Sequence, residues 1–345
     1  MAKDGRTTVY NKITSKEILD KVSHENKGLE IDFLDYLVSV DTAESTIKQY
    51  RSNLHVFWAW NIEFNDNKDF TKLTKREISR FQNHAMNTWG WSPKRLRTVK
   101  ATMRSMENYI LNILDEEYPD YKRIWDKIAN PENETVRKKS VYTYNDMVGA
   151  IDKLVEQGKY EQACLFALVA FSGRRKQELA RFKVSYFDEK NLICGGALYK
   201  TPEEVKTKGR GKRGKMLYLY VLAKDFQKYF DLWMKQREEL GIDSEWLFPD
   251  KENPQEHIGV STIDSWSKSF EKVFNGNWYM HSARHFFTTY LLDQNLPEAV
   301  VQAIIGWSSG DMVRLYDDRT VDAQLDKYFG EDGIKQVESK GLSDL

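Results

Sequence analysis

Apolar residues recur at spacings of three and four along most of this chain, which leaves room for little besides helices. After Leu29, the residues Ile31, Phe33, Leu34, Leu37 and Val38 form one such stripe. Ile47, Tyr50, Leu54, Phe57 and Trp58 form a second, behind cap residues at 42–45. Thr74 and Glu77 fit a capping box ahead of Ile78, Phe81, His84 and Met86. Ser92-Pro93 opens a fourth helix with Leu96, Val99, Met103, Met106, Tyr109 and Ile110 on one stripe, and a short helix is expected at 121–128. The period resumes at Asp146 with Met147, Ile151 and Leu154, continues through 163–171, and returns at 226–240, 262–274, 281–293 and 298–306. Strand signals are confined to 184–199 and 216–221, on either side of a glycine-punctuated stretch, 206–215, that reads as a hairpin turn. The expectation is a mainly α protein with a small antiparallel β-sheet.

At roughly 150 residues per domain, 345 residues suggest two domains. The polar, proline-containing segment 130–139 (NPENETVRKK) is the best linker candidate. The expected organisation is a polar leader at 1–27, with a little helix at 15–24, and a helical domain at 28–129. The linker at 130–139, a second domain at 140–330 and a tail at 331–345 complete it. No stretch approaches the roughly 20 apolar residues of a membrane span, and residues 1–12 lack the apolar core of a secretory signal; a cytoplasmic location is expected. Cys164 and Cys194 lie in apolar sequence and read as free buried thiols. His281 and His285 are four apart, but no third ligand accompanies them, so no metal is expected.

Lys and Arg number 52, Asp and Glu also 52, so net charge gives no footprint for nucleic acid. The distribution is uneven. Lys94, Arg95, Arg97, Lys100 and Arg104 occur with no acid among them, and so do Lys206, Lys208, Arg210, Lys212, Arg213 and Lys215. Acids gather elsewhere, as at 115–117 and 203–204. A polarised molecule can offer basic faces to phosphate while its total is zero.

Three segments hold the tools of phosphoryl transfer. The first is Ser172-Gly173-Arg174-Arg175-Lys176-Gln177-Glu178-Leu179. The second is the basic hairpin. The third is His281-Ser282-Ala283-Arg284-His285, followed by Gly306-Trp307 and Tyr316. Arginine forks match charged phosphate oxygens in bidentate geometry. A histidine, a lysine and a tyrosine can serve as base, acid and nucleophile. Taken singly, each has an ordinary structural reading: an arginine at a helix start, a solvated turn, one tyrosine among 18.

Together and in this order they resemble the boxes of the tyrosine recombinases, the phage integrase family. S-G-R-R-K-Q-E-L is similar to T-G-x-R-x-x-E-L, H-S-A-R-H to H-x-x-R-H, and G-W-S-S at 306–309 to G-H-S-S, with Tyr316 nine residues after Trp307. The resemblance covers about 140–329, and the short leader favours a Cre-like or Xer-like two-domain layout, a helical core-binding domain plus a mixed α/β catalytic domain. It implies that Tyr316 is the nucleophile, that Arg175 and Arg284 clamp the phosphate, and that His281 is the general base or donor. Trp307 would donate to phosphate, while Glu178 and His285 would brace the arginines. Lys206 is favoured as the leaving-group acid; Lys208 is the alternative, since both point to one face of a strand. Lys94, Arg95, Arg97, Lys100 and Arg104 would in part face DNA.

The resemblance further implies a DNA-associated, site-specific recombinase working without a cofactor through a 3′-phosphotyrosyl intermediate and a Holliday junction. Its partners would be double-stranded DNA with an inverted-repeat site, three more copies of itself in a synaptic tetramer and unspecified DNA-bending factors. The two domains would close on DNA as a C-shaped clamp, and a tail helix carrying Leu325, Tyr328 and Phe329 would dock on a neighbour or pack at home. Two other readings are a type IB topoisomerase-like relaxing enzyme and a non-catalytic DNA-binding regulator on the same scaffold.

Overall fold

The computed structural model describes residues 13–132, 142–209, 214–274 and 278–317, and the backbone of 329–330 and 333–334. The chain forms two compact units that divide between Arg137 and Lys138.

The first unit is helical. After a single turn, α1 (Lys16–Leu19), come α2 (His24–Ser39), α3 (Glu44–Phe64), α4 (Lys75–Asn87) and α5 (Pro93–Ile113). Their starts are written in the sequence. The Ser23 side chain accepts from the Asn26 N–H, Thr74 and Glu77 form the expected capping box, and Ser92 caps a helix whose first residue is Pro93. The core is aromatic. The Phe57 ring lies 5.2 Å from Phe81, 5.4 Å from Trp125 and 6.2 Å from Phe70, each edge-on.

Helix α5 has an unusual inner face, because Lys100 and Glu107 are both buried there. Glu107 Oε1 accepts the N–H groups of Ile124 and Trp125. Lys100 Nζ donates to Ile128 O at 2.7 Å and to Gln82 Oε1 at 3.0 Å. Gln82 Nε2 donates to Ala129 O, and Arg97 Nη2 to Pro131 O. The returning segment 124–131 is thus fastened to the helices by side chains that satisfy its backbone. This corrects the expected helix at 121–128. The donors a helix would need are taken by Glu107, and only a 3₁₀ turn, Trp125–Lys127, forms. From residue 133 the expected linker lies outside the described residues.

The second unit is built around α7 (Tyr160–Ala170), apolar on every side and buried from Ala163 onward. It packs against α6 (Tyr144–Glu156), against α9 (Ala223–Glu239) and against α11 (Met280–Asp293). The other helices are the short α8 (Lys176–Leu179), α10 (Val260–Phe274), α12 (Glu298–Ile305) and α13 (Asp311–Tyr316). Strands β1 (Leu192–Ile193), β2 (Leu198–Lys200) and β5 (Tyr220–Leu222) make an antiparallel sheet in the order β1-β2-β5. A separate hairpin pairs β3 (Val205–Thr207) with β4 (Lys215–Leu217), Lys206 opposite Met216. Among the described residues no helix is long and apolar enough to cross a membrane.

Three expectations change here. Most of the first strand signal, Val184–Phe187 and Glu189–Asn191, is 3₁₀ turn. Its adjacent aromatic residues Tyr186 and Phe187 are both buried, with Phe182 just ahead of them, a spacing that suits a turn better than an alternating strand. Cys194 is exposed rather than buried, in the tight turn between β1 and β2; Cys164 is buried, and both are free. In the tail, Phe329–Gly330 (β6) pairs antiparallel with Gly333–Ile334 (β7), so Phe329 is not helical; Leu325 and Tyr328 lie outside the described residues.

Candidate active site

Helix α7 delivers the first arginine box. Gly173 follows it with φ +60°, and a Cβ there would stand 2.6 Å from Phe287 Cδ1 on α11, so both the backbone turn and the close approach require glycine. The Gly173 carbonyl accepts from Arg284 Nη1 at 2.9 Å. Arg175 caps α8. Glu178 on that helix is buried and accepts both the Arg175 N–H and its Nη1, each at 3.1 Å. Glu178 therefore braces Arg175 while a third of the arginine side chain stays open to solvent.

Helix α11 carries His281, Arg284 and His285. Arg284 is 1% exposed, with its guanidinium carbon 5.0 Å from the centroid of Trp307. Burial, Arg175 and Arg174 lower its pKa to about 9, which still leaves a cation at neutral pH. The Tyr316 hydroxyl shares a hydrogen bond with His281 Nε2. Its ring stacks on His285 at 4.4 Å and packs against Trp307 at 4.9 Å. Trp307 is buried, and its Nε1 has no hydrogen-bond partner among the described residues. Such an orphaned donor costs free energy unless a ligand accepts from it.

His281 is pulled down to about 4 by burial of its ring and then by Arg284, His285, Arg175 and Lys208. The residue as a whole is exposed, and solvent screens these charges, but the direction favours a neutral imidazole able to take a phenol proton. The stability consequence has a definite sign. Between the ordinary value of 6.5 and the folded value of about 4 the unfolded chain binds the extra proton. The contribution of His281 is therefore present above pH 6.5 and lost as pH falls towards 4. Unfolding free energies of the parent and His281→Gln, compared by urea titration, should converge or cross in the parent's disfavour over that window. A difference that stays constant with pH would contradict the depressed pKa.

The hairpin lysines separate in a way that strand alternation cannot show. Both are exposed. Lys206 lies in β3, and its carbonyl accepts from Arg181 Nη1 at 2.8 Å. It is the charge of Lys208, however, that His281 feels. Lys206 was favoured from sequence; the charge of Lys208 at His281 is the ground on which Lys208 is proposed in its place. Arg181, anchor of this hairpin, had no signal in the sequence beyond following the first box.

The basic residues of α5 do not form one free face. Lys94 is exposed. Arg95 lies over Trp91 at 5.0 Å and donates to Asn53 Oδ1 at 2.7 Å. Arg97 donates to Pro131 O, and Arg104 pairs with Asp126 at 3.0 Å. Lys100 is 1% exposed and committed to Ile128 O and Gln82, so its inclusion among DNA-facing cations is corrected. Burial lowers its pKa to about 8.

Residues 141–322 match the phage integrase family. The SPbeta prophage-derived recombinase-like protein YomM of Bacillus subtilis (strain 168) is 29% identical over 238 residues, covering 68% of this chain and 68% of that protein. A tyrosine recombinase of Thermosipho africanus (strain TCF52B) is 24% identical over 297 residues, 82% of this chain and 92% of its own length. Among solved structures, a lambda integrase tetramer bound to a Holliday junction superposes with a TM-score of 0.60 at 14% identity, over 86% of this chain and 79% of that one. That likeness is one of fold.

Proposed function

The chain belongs to the phage integrase family of tyrosine recombinases, and from that premise we propose that it is an active site-specific recombinase whose nucleophile is Tyr316. One observation carries the reading: the Tyr316 hydroxyl meets His281 beside the buried cation of Arg284 and the unpartnered N–H of Trp307. A phosphodiester placed there would find a nucleophile, a proton acceptor and donors for its non-bridging oxygens.

In the proposed reaction the Tyr316 oxygen attacks the scissile phosphorus of duplex DNA. Its proton passes to neutral His281. Arg175, Arg284 and the Trp307 N–H stabilise the charge of the pentacoordinate state, an electrostatic contribution of about 3–4 kcal/mol for a well-placed donor. The bond from phosphorus to the 5′ oxygen breaks, and Lys208 protonates that oxygen. The products are a 3′-phosphotyrosine and a free 5′ hydroxyl. Attack by the 5′ hydroxyl of a partner strand reverses these steps and joins the strands. The structural relative, a tetramer on a Holliday junction, supports strand exchange by four copies through such a junction; the site proposed for it is one with inverted repeats.

The test uses a duplex selected by the chain from randomised DNA, nicked so that the 5′ hydroxyl diffuses away after cleavage. A protein–DNA adduct that survives denaturation, mapped by mass spectrometry to Tyr316, is the expected result. A chain that binds this duplex tightly yet forms no adduct is a regulator instead, and the proposal fails.

The first unit is proposed to bind the DNA backbone in part through α5. Lys94→Ala should then reduce the log–log salt slope of binding by about one unit for its phosphate contact. Lys100→Ala should leave the slope unchanged while lowering the unit's melting temperature, because Lys100 holds chain, not phosphate. The reverse pattern, measured by fluorescence anisotropy across a salt series, would defeat this placement.

A further inference from the structure

Arg174 is fully buried, yet among the described residues no carboxylate forms a salt bridge with it. Glu178, the strongest negative charge acting on it, is spent on Arg175. Burial brings the Arg174 pKa down to about 10, so it remains a cation. A buried cation without a countercharge is costly, and an apolar residue of similar volume would ordinarily be more stable there. Arg174 also repels two neighbouring guanidiniums, Arg175 and Arg284.

What Arg174 touches suggests its use. Its Nη2 donates to the carbonyl of Ile304, and its Nη1 to that of Ile305 at 3.4 Å. These are the last carbonyls of α12, the negative end of the helix dipole, where a cation is favoured. The next residue, Gly306, turns the chain with φ +79° and delivers Trp307. A Cβ at Gly306 would press on Leu217 of β4 at 2.6 Å and come within 4.0 Å of Arg174 Nη1. The Ile305 carbonyl is shared, since Arg284 Nη2 approaches it at 3.5 Å. One carbonyl end therefore joins Arg174, Arg284 and the turn that carries Trp307.

We propose that Arg174 is a positioning residue for strand cleavage, which holds the end of α12 so that Trp307 and Arg284 keep their places around the scissile phosphate. It touches no substrate. This inference rests on the recombinase reading above. Its physical basis is that two hydrogen bonds fix the helix end while the charge they satisfy has no other partner. A displacement of about 1 Å at a reacting centre costs on the order of a hundredfold in rate.

The test is a double-mutant cycle on single-turnover cleavage of the selected nicked duplex, with Arg174→Met, Trp307→Phe and the pair. If Arg174 acts through the Trp307 turn, Arg174→Met slows cleavage by roughly 10- to 100-fold with DNA affinity within about threefold of the parent. The pair is then no more than about twofold slower than the slower single variant. Arg174→Lys, which keeps the charge but cannot span both carbonyls, recovers part of the rate. Parental cleavage by Arg174→Met, or effects that multiply fully with Trp307→Phe, overturns the proposal. If Arg174→Met fails to fold, as read by circular dichroism, Arg174→Lys enters the same cycle under the same criteria. A parental chain that forms no adduct overturns the recombinase reading itself, and this inference with it; a defect confined to the Arg174 variants bears on this inference alone.

Discussion

Tyr316→Phe should abolish the covalent protein–DNA adduct while leaving DNA binding and folding nearly intact. The phenylalanine ring can keep the contacts with His285 and Trp307, which are contacts of ring faces and edges. What disappears is the hydroxyl and its hydrogen bond to His281, worth about 0.5–1.5 kcal/mol to stability. The effect on chemistry is total, because no bond to phosphorus can form without that oxygen. Gel analysis of the nicked duplex after denaturation reads the adduct, and anisotropy reads binding. An adduct that persists in Tyr316→Phe would place the nucleophile on another tyrosine, with Tyr328 the first to examine. It would also leave the hydrogen bond to His281 without a catalytic meaning.

The second large effect concerns the leaving group. An alkoxide leaving at neutral pH needs a proton, and general acids contribute about 10²–10⁴ in rate. Lys208→Ala should therefore slow cleavage by that order. With sulfur in place of the bridging 5′ oxygen the leaving thiolate needs no proton, and Lys208→Ala should cleave nearly as fast as the parent. Arg284→Ala should remain slow on both substrates, because it removes charge stabilisation, about 10²–10³ in rate for one donor. Lys206→Ala run in parallel tests the choice between the two lysines. Sulfur rescue of Lys206→Ala alone would return the role to Lys206. Rescue of neither would reduce the hairpin to a phosphate contact.

That choice shows where sequence reading reaches its end. Read as one strand, residues 206 and 208 share a face, so alternation cannot separate them. In the structure β3 ends at Thr207 and Lys208 lies just past it, and what favours Lys208 is its charge at His281. The catalytic boxes were legible for the opposite reason. His281, Arg284 and His285 sit on one helix, where spacings of three and four bring side chains together. Glu178 braces Arg175 from three residues away. The capping boxes and the apolar stripes were legible on the same local grounds. Lys100 and Glu107 were not, because a charged residue reads as solvated until its distant partners, Ile128 O and the N–H groups of Ile124 and Trp125, are known. Arg174 hid likewise beside Arg175, since its acceptors lie about 130 residues away.

The fastening of residues 124–131 along α5 sets the length of leash between the two units. The last of these bonds is at Pro131, and after Glu132 the next described residue is Tyr142. Whatever its path, the intervening chain can reach no farther than about 35–40 Å at 3.3–3.6 Å per residue. Undoing the bonds to Glu107, Lys100 and Arg97 would add the strapped residues to that leash and lengthen its reach by more than half. The local concentration that one DNA-bound unit imposes on the other falls roughly as the −3/2 power of tether length. If both units bind a duplex as proposed, the buried Glu107 and Lys100 and the half-buried Arg97 thereby govern how tightly the hold of the first is coupled to the arrival of the second.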